Sequence, residues 1–299
     1  MNPICFAFPA DAPVGDSLAQ ALGADRGVLD LHTFPDGETR VRLQGECARR
    51  DVILICGGRD ANAQAMPLYF AAEAARALGA ERVGLVCPYL AYMRQDTQFR
   101  AGEAVSALAY GRFLSSAVDW LVTVDPHLHR LKSLDAAFSI PSRCVSAMPA
   151  VTDWITVHVS APVLVGPDNE STQWVESVAN RLGAPWTVLE KTRSGDRQVS
   201  VTLPDPTLLR GRAPVIIDDI ASSGRTLVAA LNALRGTGSA AATCVVVHAL
   251  FAADAETAIR TAGVERLVST NTVTHSTNAI DVVPLIAAAI RPSLRALSA

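Results

Sequence analysis

The stretch Val215-Ile-Ile-Asp-Asp-Ile-Ala-Ser-Ser-Gly-Arg-Thr-Leu-Val-Ala-Ala-Leu231 joins an apolar run to a helical pattern through polar residues. The continuous apolar run from Val215 to Ile217 predicts a strand buried on both faces, which is typical of parallel sheets. The residues from Gly224 onward have the apolar spacing of a helix. Parallel sheets covered by helices bind ligands beyond the carboxyl ends of their strands, so we expect the chemistry to lie between these two elements.

The same alternation of a short apolar strand with an Ala/Leu-rich helix recurs along the chain, and it predicts parallel sheets covered by helices. The other predicted strands are 51–56, 82–87, 120–124, 162–166 and 243–247. The predicted helices are 63–78, 103–114, 172–182 and 226–234. The stretch 148–162 separates two sets of such units of similar length. We therefore predict an α/β chain of two doubly wound parallel-sheet domains, 1–146 and 147–279, related by duplication.

Composition narrows the class of protein. The chain has 299 residues, of which 49% are hydrophobic and 18% charged, and its formal net charge is -3. This balance offers no basic surface for nucleic acid, so a small-molecule ligand is expected. No leader segment and no run of about 18 apolar residues is found, which predicts a cytoplasmic protein without a membrane span. The six cysteines have no metal-finger spacing and are interpreted as reduced core residues.

Two carboxylates and a small polar loop follow the opening strand. The loop consists of Ser222, Ser223, Gly224, Arg225 and Thr226, and we call it the phosphate loop. Its hydroxyls and the first N–H groups of the following helix are suited to a phosphate monoester. The acid pair, Asp218 and Asp219, can accept hydrogen bonds from ribose hydroxyls or hold a metal ion through water. The alternative is a helix cap with a solvated acidic turn.

This segment resembles the ribose-phosphate loop of the type I phosphoribosyltransferase fold. Four further segments resemble the ribose-phosphate diphosphokinase family, and particularly its archaeal-type branch. In that family Phe34-Pro-Asp-Gly-Glu-Thr-Arg40 corresponds to a hairpin that binds the adenine of ATP. The resemblance implies that Phe34 stacks on the base and that Asp36 and Glu38, on either side of Gly37, accept from its amino group. A plain Pro-Asp-Gly turn is the local alternative.

The segment from Pro88 to Val105, with its core Tyr92-Met-Arg-Gln-Asp96, resembles the family's second ATP-binding segment. The resemblance implies that Arg94 and Gln95 hold the nucleotide. It also implies a Mg²⁺ site at His127 and Asp168, although an imidazole is an unusual ligand for so hard a cation. Without the resemblance, a capping or buried role would be preferred for His127.

The resemblance further implies that Lys191 is the catalytic lysine and that Arg193 is its partner, which also contacts ribose 5-phosphate. Two cations on a mobile loop can neutralise charge that develops during phosphoryl transfer. The end of the chain resembles the family's closing strand and a terminal helix, 280–299, that joins the N-terminal domain.

The implied activity is transfer of the diphosphoryl group of MgATP to ribose 5-phosphate by a homo-oligomer, at least a dimer. Thr97 and Arg225 depart from the family pattern, where the bacterial type has arginine and glycine. These departures keep open a catalytically silent regulatory homologue. A phosphoribosyltransferase is the other alternative, although it would need neither an ATP site nor a second sheet.

Overall fold

The computed structural model describes residues 2–194 and 198–295, without the side chains of 191–194, 198–201, 293 and 295. It divides the chain into two units. The first unit contains Met1–Ser146 together with Val283–Ala299, and the second contains Ala147–Val282. Each unit is built around one parallel six-stranded sheet.

Within the residues that the structure describes, the strands fall into two sets of eight. Those of the first unit are β1 (Ile4–Ala7), β2 (Asp25–Arg26), β3 (Val28–Thr33), β4 (Thr39–Gln44), β5 (Asp51–Ile55), β6 (Arg82–Cys87), β7 (Trp120–Val124) and β8 (Ser142–Val145). Those of the second unit are β9 (Pro162–Gly166), β10 (Trp186–Val188), β11 (Glu190–Ser194), β12 (Gln198–Thr202), β13 (Ala213–Ala221), β14 (Thr243–Ala249), β15 (Arg266–Thr270) and β16 (Asn278–Ile280).

Most of the helices lie between strands of one sheet, whereas one precedes the first strand of the second sheet and the last returns to the first unit. In chain order they are α1 (Ala12–Leu22), α2 (Ala61–Ala77), α3 (Ser106–Ala117), α4 (Met148–His158), α5 (Thr172–Leu182), α6 (Arg225–Leu234), α7 (Ala255–Thr261) and α8 (Val283–Arg295). Helices α1 and α5 end in the same way, because Gly23 and Gly183 each follow the last turn in the left-handed conformation that glycine adopts without strain.

The two sheets have the same topology. The first has the strand order β2-β1-β5-β6-β7-β8 and the second β10-β9-β13-β14-β15-β16, and neighbouring strands run parallel throughout. Each unit also has an antiparallel hairpin after the second of its strands, β3–β4 in one and β11–β12 in the other. The predicted fold class, two related doubly wound domains, is confirmed.

Burial on both faces explains the apolar strands. Leu54, Leu85 and Leu121, on three adjacent strands of the first sheet, are 0 to 1% exposed. In the second unit Ile216 and Val246 belong to one core cluster with Leu227 of the covering helix α6. Burial of such apolar side chains on both faces of the sheets is the main stabilising contribution in folds of this kind.

Two details differ from the sequence-based expectations. The terminal helix begins at Val283, because residue 280 still belongs to strand β16, so the predicted start at 280 is three residues early. All six cysteines are free, but Cys144 is exposed on the edge strand β8, so the core interpretation is wrong for that residue. In the part of the chain that the structure describes, no helix has both the length and the apolarity needed to cross a membrane.

Candidate active site

The acid pair lies within strand β13, which continues to Ala221, four residues past the end expected at Ile217. Asp218 and Asp219 are 8% and 7% exposed. The backbone N–H of Asp219 donates to Oδ1 of Asp218 at 3.1 Å, and that of Ile220 donates to Oδ1 of Asp219 at 2.8 Å. These local hydrogen bonds fix both carboxylates at the carboxyl end of the strand, where a doubly wound sheet binds its ligand.

The phosphate loop connects β13 directly to α6. Helix α6 begins at Arg225, and the residue before it, Gly224, has φ 70° and provides no side-chain cap. The first N–H groups of a helix have no partner within it, so those of α6 face the loop as donors. Ser222 is half-buried and Ser223 exposed, and neither caps the helix. The capping alternative for these serines is therefore wrong, and binding of a phosphate at this end of the helix stays a prediction.

Gly224 is required for two reasons. Its positive φ is unfavourable for other residues, and a Cβ there would lie 3.0 Å from Cδ1 of Ile259 and 3.2 Å from the carbonyl oxygen of Ala255. Helix α7 thus packs closely beneath the loop. The carbonyl oxygen of Ser222 also accepts from the N–H of Ala252 at 2.9 Å, which fixes the start of the loop.

The predicted adenine-binding hairpin is formed by β3 and β4, with its turn at residues 34–38. The N–H of Gly37 donates to the carbonyl of Phe34 at 2.9 Å, and that of Phe34 donates to the carbonyl of Glu38 at 2.8 Å. Oδ1 of Asp36 accepts from the N–H of Glu38 at 3.1 Å. The Phe34 ring is 41% exposed and meets the His32 ring edge-on at 4.8 Å between centroids. The turn therefore explains Pro-Asp-Gly, while the exposed ring has no local structural explanation.

The segment between β6 and α3, residues 88–105, contains the predicted ATP-binding residues Arg94 and Gln95, and we call it the nucleotide loop. Arg94 is exposed in it, and Gln95 is half-buried. The Gln95 amide donates to Oε2 of Glu103 at 3.2 Å, and the same oxygen accepts from the N–H groups of Phe99 and Arg100 at 3.0 and 3.1 Å. Glu103 thus organises the loop internally. Glu103 was assigned no role in the sequence analysis.

The two predicted metal ligands lie in different units. His127 is half-buried after β7, two residues beyond the buried Asp125, whose φ of 31° is unusual for a residue other than glycine. Asp168 is half-buried after β9, where its Oδ1 accepts from the N–H of Glu170 at 3.2 Å. Over the described residues, no group of three His, Cys, Asp or Glu is arranged to hold a metal ion.

Mg²⁺ is nevertheless compatible with a protein site that provides a single carboxylate. It is usually bound through one or two carboxylates, waters and substrate phosphates rather than by an all-protein cage. The Asp168 carboxylate meets that requirement, while the imidazole of His127 is the less typical donor. Asp125, whose backbone conformation is unusual, lies two residues before His127 and is a further acidic residue, to which the sequence analysis assigned no role.

The predicted catalytic residues lie on the second hairpin rather than in an irregular loop. In its backbone register, Lys191 pairs with Val201 and Arg193 with Val199. The side chains of Lys191 and Arg193, and residues 195–197 of the turn, lie outside the described residues, so their catalytic role stays a prediction. This hairpin occupies the same topological position in its unit as the β3–β4 hairpin does in the other.

Comparison with known proteins identifies relatives of both units. Residues 4–117 match a family model described as the N-terminal domain of ribose phosphate pyrophosphokinase, and residues 150–282 match the phosphoribosyl transferase domain. Curated relatives named ribose-phosphate pyrophosphokinase include those of Methanothermobacter thermautotrophicus, 33% identical, and Methanopyrus kandleri, 32% identical. The first covers 93% of this chain and 96% of the relative, and the second 96% and 98%. Among solved structures, phosphoribosylpyrophosphate synthetase from Mycobacterium smegmatis matches with a TM-score of 0.85 at 24% identity, over 99% of this chain and 100% of that one.

Proposed function

The chain belongs to the ribose-phosphate pyrophosphokinase family, and on that premise we propose that it transfers the diphosphoryl group of ATP to the 1-hydroxyl of ribose 5-phosphate. The hydroxyl oxygen attacks the β-phosphorus in line, the bond from that phosphorus to the α-phosphate oxygen breaks, and AMP leaves. The hydroxyl proton is lost, and the product is phosphoribosyl diphosphate. The observation that carries the proposal is the acid pair followed by a helix N-terminus that no side chain caps.

The second unit binds ribose 5-phosphate in this proposal. The phosphate loop, with the donors at the start of α6, binds the 5-phosphate. Asp218 and Asp219 accept hydrogen bonds from the ribose hydroxyls, which orients the 1-hydroxyl for attack. Arg225, exposed at the first helical position, adds a charge-assisted contact to the phosphate.

The first unit contributes the ATP groups. The exposed ring of Phe34 stacks on adenine, and Asp36 and Glu38, separated by Gly37, accept from its amino group. Arg94 and Gln95 hold the phosphates and the nucleotide. Because the Asp36 carboxylate and the Gln95 amide already make hydrogen bonds within their own loops, each presents a pre-oriented side chain rather than a freely rotating one.

Mg²⁺ is the proposed cofactor, held by His127 and Asp168, and when bound it would neutralise charge on the ATP phosphates. Lys191 and Arg193 stabilise the transferring group electrostatically, so the protein contributes mainly placement and charge neutralisation. A homo-oligomer, at least a dimer, and a cytoplasmic location complete the proposal, with ATP and ribose 5-phosphate as the partners and neither nucleic acid nor a membrane.

The test is incubation of the purified protein with ATP, Mg²⁺ and ribose 5-phosphate, followed by phosphorus NMR. Formation of AMP and phosphoribosyl diphosphate is expected. Absence of AMP with every divalent metal tried would favour the silent homologue, and consumption of phosphoribosyl diphosphate with a base would favour the transferase.

The catalytic assignment has its own variant. Lys191→Ala is expected to lower kcat by roughly 100-fold or more, because a preorganised charge is removed from the transition state. Lys132→Ala, at an exposed lysine that has no role in the proposal, serves as the matched control and is expected to retain activity. Undiminished turnover in Lys191→Ala would remove Lys191 from the mechanism.

A further inference from the structure

Asp96 and Arg130 join two loops of the first unit that carry different parts of the proposed site. Asp96 belongs to the nucleotide loop, and Arg130 follows β7 in the segment that contains His127. The guanidinium of Arg130 donates from Nη1 to Oδ1 of Asp96 at 3.0 Å, and its backbone N–H donates to Oδ2 at 2.9 Å. One residue thus engages both oxygens of the carboxylate.

The Asp96 side chain is only 1% exposed, whereas that of Arg130 is 48% exposed. Burial by itself would raise the pKa of the Asp96 carboxyl, but the two hydrogen bonds and the positive charge from Arg130 outweigh it and hold that pKa below its ordinary value. Asp96 is therefore ionised at neutral pH. A buried carboxylate that loses its cation is strongly unfavourable, so the loop geometry depends on Arg130.

Arg130 also contacts the far side of the same turn. Its guanidinium carbon lies 5.2 Å from the centroid of the Phe99 ring, within the range of a cation–π contact. The N–H of Phe99 is in turn bound by Glu103, which also holds the Gln95 amide. Arg130 therefore fixes both ends of the turn from Asp96 to Phe99.

Arg94 and Gln95, the predicted ATP-binding residues, immediately precede Asp96. Their backbone is attached at one side to Asp96 and through the Gln95 side chain to Glu103. We propose that Arg130 is a positioning residue for the nucleotide, acting through Asp96 and Phe99 to hold Arg94 and Gln95 in their ATP-binding geometry. This inference rests on the proposed function, in which that loop binds ATP.

The experiment compares Arg130→Gln and Arg130→Lys with the control Arg82→Gln. Arg82 likewise makes two hydrogen bonds to a mostly buried aspartate, Asp51, at 2.8 and 3.1 Å, but at the amino ends of strands β5 and β6. KM for ATP, KM for ribose 5-phosphate, kcat and Tm are measured for all three. All variants at Arg130 keep the backbone N–H that binds Asp96.

For Arg130→Gln we expect KM for ATP to rise roughly tenfold, the effect of one charge-assisted hydrogen bond, with KM for ribose 5-phosphate and kcat nearly unchanged. Arg130→Lys, which keeps the charge, should recover part of the loss. Arg82→Gln should lower Tm without changing either KM. An unchanged KM for ATP, or a parallel rise of both KM values, overturns the inference.

Calorimetry with a non-hydrolysable ATP analogue separates this inference from the proposed function. If the wild type binds the analogue but forms no AMP, the proposed function fails. The inference is then decided by whether Arg130→Gln binds the analogue roughly tenfold more weakly or equally well. If the wild type does not bind the analogue at all, both are overturned.

Discussion

Two turns of this chain occupy the same place in their sheets but have opposite chemistry. Strands β5 and β13 are each the third strand of their sheet. Ile55 of β5 pairs with Ala7 of the neighbouring strand, and Ile216 of β13 pairs in the same way with Val165. Two residues further on, the first unit has Gly57 and the second has Asp218. The duplicated fold therefore presents the same edge twice, and only the second has the acid pair.

In the first unit a carboxylate reaches this position from another turn. Oδ2 of Asp11 accepts from the N–H of Gly57 at 2.8 Å, and Asp11 is 6% exposed. The following helix, α2, is capped by the Asp60 side chain, which accepts from the N–H of Ala63 at 3.5 Å, whereas α6 has no side-chain cap. One turn is thus closed by the protein's own carboxylates and the other retains its donors. A few residues, rather than the fold, therefore determine which of these two turns has the side chains suited to a sugar phosphate.

Neutralising the acid pair should have the largest effect on activity, since these two carboxylates distinguish the second turn from the first. In Asp218→Asn/Asp219→Asn, the amide oxygens can still accept the local backbone N–H groups, so folding is preserved. We expect kcat/KM for ribose 5-phosphate to fall roughly 1000-fold, because each charge-assisted hydrogen bond contributes roughly 1.5–3 kcal/mol. Asp60→Asn, in the equivalent turn, is the control and should change only Tm. Comparable losses of activity in the two variants would contradict the contrast.

Removing the charge of Asp11 tests the turn of the first unit. Burial raises the pKa of Asp11 to about 6, and the hydrogen bond from Gly57 only partly offsets it. The pKa of Asp11 is higher in the folded protein than in the unfolded chain, so the protonated carboxyl favours folding. This contribution of Asp11 to stability is fully present below about pH 4 and is lost as pH rises through about 6. Asp11→Asn should lack this loss and gain on the order of 3 kcal/mol relative to wild type between pH 4 and 8. Urea unfolding across that range measures it, and parallel stability curves for the two proteins would rule it out.

Gly57 provides a second test of the turn in the first unit, because its contact with Asp11 leaves no room for a side chain. A Cβ there would lie 2.2 Å from Oδ1 of Asp11, and no positive φ contributes to the strain. Gly57→Ala should cost about 2 kcal/mol in the free energy of unfolding, as overpacking does. In an Asp11→Ala background the cost should largely vanish, because the two sites are coupled. An equal cost in both backgrounds would assign the strain to something other than Asp11.

The sheets were predictable because buried parallel strands are continuously apolar, and the hairpin turn at Phe34 because Pro-Asp-Gly specifies its own geometry. The extension of β13 through its two aspartates was not predictable from the sequence, because charged residues rarely continue a buried strand. Nor were the pairs Asp11–Gly57 and Asp96–Arg130, separated by 46 and 34 residues. A hydrogen bond between distant loops leaves no local periodicity, so only the folded structure reveals it.

Ser223 provides the smallest and most local test of the second turn. Its side chain is exposed in the phosphate loop, and no side chain there caps α6, so its hydroxyl is available to the 5-phosphate in the proposed complex. Ser223→Ala should raise KM for ribose 5-phosphate about fivefold, the effect of one hydrogen bond of about 1 kcal/mol, and leave KM for ATP unchanged. Ser116→Ala is the control, because Ser116 is also exposed but donates to the carbonyl of Phe113 at 2.7 Å in the other unit. A rise in KM for ATP instead would assign this turn to the nucleotide, and the division of substrates between the two edges would be reversed.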